Sequence, residues 1–542
     1  MDQKKLAEWL RWDKPYLYHP THPLWKFVVV ATVTIGGMSV LMDLLGSAMV
    51  MTQFQGFLAV DYDKIIWAAR GVLFVLAISP LFALRLSRRF GTKKVFFIGL
   101  WLFLGGAVAT GFAPNYPVFM ICRVVGGLGG GLISSLGLTI INQTITDVEN
   151  RRSVVAAYSS VSFGLGIAFG MIMGGYYGQM AAWRMVFFSA LYCIPPLMVA
   201  TCLFFPETKQ REQPPYDIFG LASLILLCLS LLFIVTQVKA EWNTLAWRSN
   251  FIIGCGIVSF ISLVLFVANA LTRSNPLIEL RLFLDRKFST CCLSMLIVGF
   301  LVFGVTLASL GMMQIFYGYE WIRLGWFMSI VGFTYFFVGA IPTLTIRYIN
   351  PRVYVYGGLL IIALSCLFAQ SITIQSNKYE IGMIIFMRST GVALTLGPLT
   401  IHALSSFDRA FYPKGASIIN FIRMLGGVFG SALIQLISAY RTPFHSLRFG
   451  EMVDVQSAEY RRYFYEYWQT AVSARGSSPK LGAEQTREII IQWIQDQAKI
   501  AALLDAEYLL GMAIFTMLGL HLFFYLLRIS RDQSPLILSI LR

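Results

Sequence analysis

Charge is what this chain has least of. Asp, Glu, Lys and Arg make up 13% of its 542 residues, against 57% hydrophobic residues. A soluble fold of that length needs far more polar surface, so a water-soluble protein is excluded. Acids are scarcer than bases, 27 against 43, which leaves a formal net charge of +16. The excess does not describe a nucleic-acid surface, because the basic residues are scattered at the ends of apolar runs, as topology signals are. The eight cysteines all lie within apolar runs, and neither CxxC nor HExxH occurs. They read as small core hydrophobes, with no disulfide frame and no metal site. No P-loop is present, which argues against direct ATP drive, and no cofactor is expected. A cleavable signal peptide is also missing. The first apolar run, 27–51, is longer than a signal h-region and has no small-x-small site, so it is expected to stay as a span.

Long apolar runs are what the chain does have. A helix needs about 20 apolar residues to span a bilayer. About fourteen such runs occur, at 27–51, 66–84, 95–112, 118–141, 154–178, 185–205, 218–238, 251–271, 290–316, 325–346, 355–371, 381–404, 416–440 and 508–527. The fold class is therefore an all-α polytopic membrane protein. One set of short loops carries Arg85, Arg88, Arg89, Lys93 and Lys94, then Arg151 and Arg152, then Lys209 and Arg211, then Arg273, Arg281, Arg286 and Lys287. The alternate loops hold far fewer basic residues. The basic set is expected to be cytoplasmic, which puts both termini inside and the protein in a cell inner (plasma) membrane. The polar and aromatic segment 1–26 precedes the first span. One outer segment, 441–505, is long and carries charges of both signs. Its Ile489, Ile490, Trp493 and Ile494 have the spacing of an amphipathic helix leading into the last span. That segment reads either as a folded loop or as a docking surface for a periplasmic adaptor protein.

Internal repeats point to two related halves. Arg123-Val124-Val125-Gly126 in the fourth run is similar to Arg388-Ser389-Thr390-Gly391 in the twelfth. Gly166, Gly170, Gly174 and Gly175 in the fifth run are similar to Gly426, Gly427 and Gly430 in the thirteenth. Two six-helix bundles follow, with the seventh and eighth helices inserted between them, an architecture that places substrate near the midplane. The expected divisions are 27–205, 206–271 and 272–542. Gly166, Gly170 and Gly174 recur on one helical face, where missing side chains admit a second helix. The spacing fits either static packing or a seam that closes one side of a moving bundle.

These motifs resemble the major facilitator superfamily, and within it the fourteen-span drug:proton antiporters of the EmrB/QacA type. The fifth run, Gly166-Ile167-Ala168-Phe169-Gly170-Met171-Ile172-Met173-Gly174-Gly175, resembles that family's G-x-x-x-G-P-x-x-G-G, with Met171 in place of proline, and Trp183-Arg184 follows as in the family. Leu41-Met42-Asp43 matches the acid of the first span, and Arg123 and Gly127 match R-x-x-Q-G of the fourth. The loop from Leu84 to Lys94 resembles G-x-L-a-D-R-x-G-R-K through Arg89 and Gly91, but Arg88 stands where the family has an acid. Asn275 to Phe283, the Gln314 region, and Asn420-x-x-Arg423-x-x-Gly426-Gly427 complete the likeness over nearly the whole chain. The resemblance implies a proton-coupled efflux transporter of amphipathic small molecules working by alternating access. It also implies a conformational switch at Arg88, Arg89, Gly91, Gly166, Gly170 and Gly174.

Asp43 is then the residue of most interest. An acid in hydrocarbon costs roughly 2.5 to 3.5 kcal/mol on insertion scales and is functional by default. Asp43 and Arg123 lie at similar depths, roughly 12 and 8 Å below the outer ends of their spans. Protonation of such an acid weakens its pair with an arginine, so the two are expected to couple transport to protons; a permanent structural ion pair is the alternative. Arg388 and Arg423 are also deep, and Asp43 is almost the only opposing acid in the runs. Together with Gln314 they are candidates for a substrate cavity that favours anionic or zwitterionic molecules. A dedicated exporter of an anionic metabolite such as a siderophore is the second reading. A polytopic enzyme acting on lipid-linked substrates is the third, though no paired acids or metal cluster support it. The orientation has a direct check. In a cysteine-free variant, a cysteine placed in loop 85–94 is expected to escape an impermeant thiol reagent in intact cells, and one at Ser478 to react. Equal labelling of the two would reverse the topology.

Overall fold

The structure is a computed structural model. It describes residues 23–540 apart from 146, 207–216, 241, 274, 318–319, 347, 374–375, 406–411 and 474–477. Most of the segment expected at 1–26 therefore lies outside the described residues. Every ordered stretch of length is helical, as a chain in hydrocarbon requires, because a helix satisfies its own backbone. Among the described residues, fourteen helices are long and apolar enough to cross a membrane. Spans 1 to 6 are Leu24–Met49, Asp63–Phe90, Thr92–Gly111, Tyr116–Thr144, Ser153–Gln179 and Arg184–Phe204. Spans 7 and 8 are Ile218–Gln237 and Asn250–Thr272. Spans 9 to 14 are Arg286–Gln314, Trp321–Thr345, Pro351–Ser371, Lys378–Leu404, Lys414–Met452 and Pro479–Gly519. Short polar side chains start several of them. Asn115 accepts from the Val118 amide, Asn350 from Arg352 and Asn377 from Tyr379, which supplies partners for amides that a helix start leaves free.

The chain departs from the expected layout at its C-terminal end. The helix of span 13 runs on to Met452, and span 14 belongs to one helix, Pro479–Ile540. Most of the segment expected as an outer loop is thus helical, with a further helix at Ala458–Ser473. The reason is local: between Gly482 and Gly511 no glycine or proline interrupts the apolar periodicity, so the helix that starts outside the apolar run continues into it.

Glycine sets how closely the helices approach. Gly166, Gly170 and Gly174 of span 5 all face span 1. A Cβ at these positions would lie 2.9 Å from the Met38 carbonyl oxygen, 2.9 Å from that of Met42 and 2.8 Å from that of Gly46. These glycines therefore pack span 5 against span 1 inside the first bundle. Gly426, Gly427 and Gly430 of span 13 hold span 9 in the same way, against Leu296, Phe303 and Phe300. There the span 9 backbone passes through a π-helical turn, Phe300–Val305.

A different set of small residues joins the first bundle to the second. Gly164 and Gly175 of span 5 meet Phe336, Trp321 and Gly325 of span 10. Gly332 meets Ala168, and Gly339 meets Ser160. This contact runs from one membrane face to the other. The sequence repeat gave no sign of it, because its small residues are spread over two helices of unlike pattern. Spans 7 and 8 form a hairpin outside both bundles, with Trp67 of span 2 stacked on Phe233 of span 7 at 4.8 Å. Exposed Ile257, Phe260, Ile261 and Val264 give span 8 an apolar outer face.

The two seams are expected to respond differently to bulk. A leucine at Gly332 should push the bundles apart while each keeps its helices, so transport is lost with the far-ultraviolet circular dichroism unchanged. A leucine at Gly170 should strain span 1 beside Asp43 and lower thermal stability by about 1 to 3 kcal/mol. Unchanged transport in the Gly332→Leu protein would show that the inter-bundle contact is dispensable.

Candidate functional site

Span 1 carries Asp43 among Met42, Leu44 and Leu45, all buried, and the glycines of span 5 fix its backbone there. Arg123 of span 4 reaches the same depth. Its Nη1 donates to Asp43 Oδ2 at 2.6 Å, and its Nη2 donates to Ser47 Oγ at 2.9 Å. The guanidinium lies 5.1 Å from the centre of the Phe187 ring. Asp43 Oδ1 is buried and has no hydrogen-bond partner. Leaving a buried polar atom unsatisfied costs about 1 to 3 kcal/mol, and more on a charged group. The carboxylate is therefore held by one oxygen only, and the other is a vacant acceptor.

The second bundle holds a related pair with different chemistry. Arg388 of span 12 donates through Nη1 to Glu507 Oε1 at 3.0 Å and through Nη2 to Glu507 Oε2 at 2.5 Å. Glu507 is buried on span 14. This corrects the expectation that Asp43 is almost the only acid available to the deep arginines. Arg388 has a bidentate internal partner, so it has no need of a negative charge from a substrate. Sequence reasoning missed Glu507 because it lies just before the last apolar run, at the end of the presumed loop. The signal was the helical periodicity that runs through Trp493 into that run.

Each half sets its arginine beside a serine of another span. Arg123 donates to Ser47, and Arg388 Nη1 lies 3.4 Å from Ser309 Oγ on span 9. If Ser47 corresponds to Ser309, then Asp43 corresponds to Val305, at the end of the π-helical turn. In the second bundle the carboxylate comes from its last helix. Beside Arg388 is a cavity of about 10 Å³ lined by Thr306, Ser309, Tyr335 and Ser389, room for at most one water molecule. Gln314 is half-buried, further along the same helix as Ser309.

Arg423 is solved less completely. Its Nη2 donates to Asn420 Oδ1, and its guanidinium lies 4.6 Å from the ring of Phe163 on span 5, across the bundle boundary. Its Nε is buried without a partner. Among the described residues no carboxylate pairs with it. Arg70 is buried between spans 2 and 13. Its Nη2 donates to Gln435 Oε1 at 2.5 Å and to the Ser431 carbonyl at 3.2 Å. It ties the bundles together at the face away from the basic loops.

The basic face is closed by a residue that the motif reading did not single out. Arg85 Nη2 donates to the carbonyls of Pro276 at 2.6 Å and Asn275 at 3.3 Å, in the segment before span 9. Asp217 anchors that segment. It accepts from Arg273 Nη1 at 2.8 Å, Asn269 Nδ2 at 2.9 Å, the Leu277 amide at 2.8 Å and the Gly220 amide at 2.9 Å. Burial alone raises the Asp217 carboxyl, but these hydrogen bonds together hold it below the usual range. Its contribution to stability is thus present at neutral pH and is lost only as pH falls through that lowered value. Of the expected switch residues, Gly91 sits at φ 95° between spans 2 and 3, a conformation that favours glycine. Arg89 is exposed with its guanidinium 5.5 Å from Phe90, and Arg88 is half-buried with Nε unpartnered.

Comparison with known proteins fits this architecture. The family model described as Major Facilitator Superfamily matches residues 27–431. "Uncharacterized MFS-type transporter EfpA" of Mycobacterium tuberculosis is 24% identical over 79% of this chain and 81% of its own length. "Multidrug export protein EmrB" of Haemophilus influenzae is 23% identical over 80% of this chain and 84% of its own. The fold also matches a solved peptide transporter, POT, in complex with sulfate, at a TM-score of 0.58 and 13% identity, over 95% of this chain and 98% of that one. With a family model matching most of its length and a helical frame shared with solved transporters, this chain belongs to the major facilitator superfamily and is a multi-pass membrane transporter rather than an enzyme.

Proposed function

We propose that this transporter exports amphipathic small molecules across an inner membrane in exchange for protons, with Asp43 and Arg123 as the coupling pair and both termini in the cytoplasm. The observation that carries the reading is the vacant Oδ1 of Asp43. Both oxygens of Glu507 are engaged by Arg388, whereas a proton finds a free oxygen on Asp43. Asp43 accepts one at Oδ1 with its existing bond to Arg123 in place. The proton removes the negative charge, so Arg123 keeps only a neutral acceptor there and Ser47. The pair then holds span 1 to span 4 less strongly, which frees span 1 to move. The small-residue seam between spans 5 and 10 and the Arg70 and Arg85 contacts close both faces of this form, which suits an intermediate between inward- and outward-open states. On this reading, residues 27–205 and 272–542 rock against each other, with 206–271 riding outside.

The similarity to a multidrug export protein supports efflux of amphipathic molecules. Arg423 favors a narrower second reading, export of an anionic metabolite. It is a deep cation at the bundle boundary with no carboxylate among the described residues. When the bundles part there, a substrate anion is the natural partner.

Proteoliposomes with an imposed pH gradient test both readings. Asp43→Asn keeps an oxygen for Arg123 but cannot take up a proton. It should cut gradient-driven transport at least about tenfold, or ~1.4 kcal/mol, while substrate exchange without a gradient persists. Full gradient-driven transport by that variant would remove Asp43 from coupling. Arg423→Gln should weaken binding of anionic amphiphiles about tenfold or more, since charge-assisted hydrogen bonds contribute roughly 1.5 to 3 kcal/mol, and leave cationic ones unchanged. A substrate range of lipophilic cations only, indifferent to Arg423→Gln, would make this arginine structural.

A further inference from the structure

At the basic face, the ends of spans 2 and 13 and the segment before span 9 enclose a cleft of about 50 Å³. Arg85, Arg88, Pro276, Glu279, Lys414 and Ser417 are among the residues that line it. Its charges do not balance. Glu279 is engaged by Lys414, in an ion pair across the cleft wall. Asp217, behind the same segment, is engaged by Arg273. Arg85 bonds only to neutral carbonyls. Among the described residues no carboxylate pairs with Arg85 or Arg88. Each also keeps a buried guanidinium nitrogen without a hydrogen-bond partner, Nη1 in Arg85 and Nε in Arg88.

We propose that this cleft binds a phosphate group, which bridges the two bundles at the basic face. Four features select that chemistry. Two guanidinium groups lie on one wall, and planar forked donors match the tetrahedral oxygens of phosphate. The two cations call for a net negative charge, which inorganic phosphate and an anionic phosphodiester headgroup both carry. The volume admits a compact oxyanion and not the body of an amphiphile. The position is at the end of span 2, which stops at Phe90, and at the start of span 13, at Lys414, the level where phospholipid headgroups lie. The phosphate can come from an anionic lipid headgroup or from solution. Either source ties Arg85 and Arg88 of the first bundle to Lys414 and Ser417 of the second. It takes the place of a protein acid where Arg88 now stands. Binding does not depend on the coupling role of Asp43.

The full chain in nanodiscs tests this. Discs of phosphatidylcholine alone, the same discs titrated with inorganic phosphate, and discs containing phosphatidylglycerol give three arms, read as thermal unfolding and by native mass spectrometry for retained lipid. Relative to discs of zwitterionic phosphatidylcholine alone, wild type should be stabilised in at least one of the two arms that add an anionic phosphate. Stabilisation by inorganic phosphate assigns a free ion, and stabilisation by phosphatidylglycerol alone assigns a lipid headgroup. In Arg88→Gln the apparent affinity should fall at least about tenfold. Arg89→Gln removes the same charge from the exposed neighbour and should leave it within about twofold. Arg88→Asp should abolish the phosphate effect and raise stability in plain phosphatidylcholine, because the new acid pairs with Arg85. No stabilisation of wild type in either arm, or an equal loss in Arg88→Gln and Arg89→Gln, overturns the proposal.

Discussion

A full charge inside hydrocarbon must find a partner, and the rest of this structure is arranged around how four deep arginines find theirs. Arg123 takes half of a carboxylate, and Arg388 takes all of one. Arg70 donates to an amide and a backbone carbonyl, and Arg423 meets an amide and an aromatic face. These differ in what they leave over. The Arg388 pair engages both oxygens of Glu507, although Arg388 Nε is buried without a partner, and it suits a fixed strut between spans 12 and 14. The Arg123 pair leaves an acceptor oxygen vacant. Arg423 leaves a positive charge uncompensated by any described acid. Sites that can change state are the incomplete ones, because a proton or an anion has somewhere to go.

Close helix approach is the second constraint, and it serves two purposes that look alike along the chain. On span 5 one stripe of glycines faces span 1 and another faces span 10. The first stripe fixes the backbone on either side of Asp43, so the carboxylate meets Arg123 without slack. The second allows two bundles to lie against each other through the whole membrane depth. A seam of small residues has little side-chain interlock, so it can part and re-form without repacking, which is what a rocking contact requires.

The two halves share a frame but not a site. Where the first bundle has Asp43 on its first helix, the second has Val305 at the end of a π-helical turn, and its acid comes from span 14. The arginine and the serine beneath it are retained in both. The two bundles thus carry one pair with a carboxylate oxygen left over and one with both oxygens engaged. The difference is which helix supplies the carboxylate.

The apolar runs alone were enough to specify an all-helical membrane protein and its fourteen spans, because length and hydropathy decide whether a helix can cross a bilayer. Asp43 and Arg123 could be singled out for the same reason: ionisable residues in hydrocarbon are too costly to be incidental. The glycine repeat was legible as close packing. Its direction was not, since a helical face is visible in sequence but the helix it meets is not. Glu507 was invisible as a partner of Arg388 because it lay outside the last apolar run, and only the continuous helix carries it to that depth. Arg85 looked like one basic residue among many until its carbonyl acceptors came from a segment far along the chain. Periodicity and hydropathy are local properties and can be read along the chain. Which charge meets which, and which oxygen is left over, depends on contacts between distant helices, and only the tertiary structure decides them.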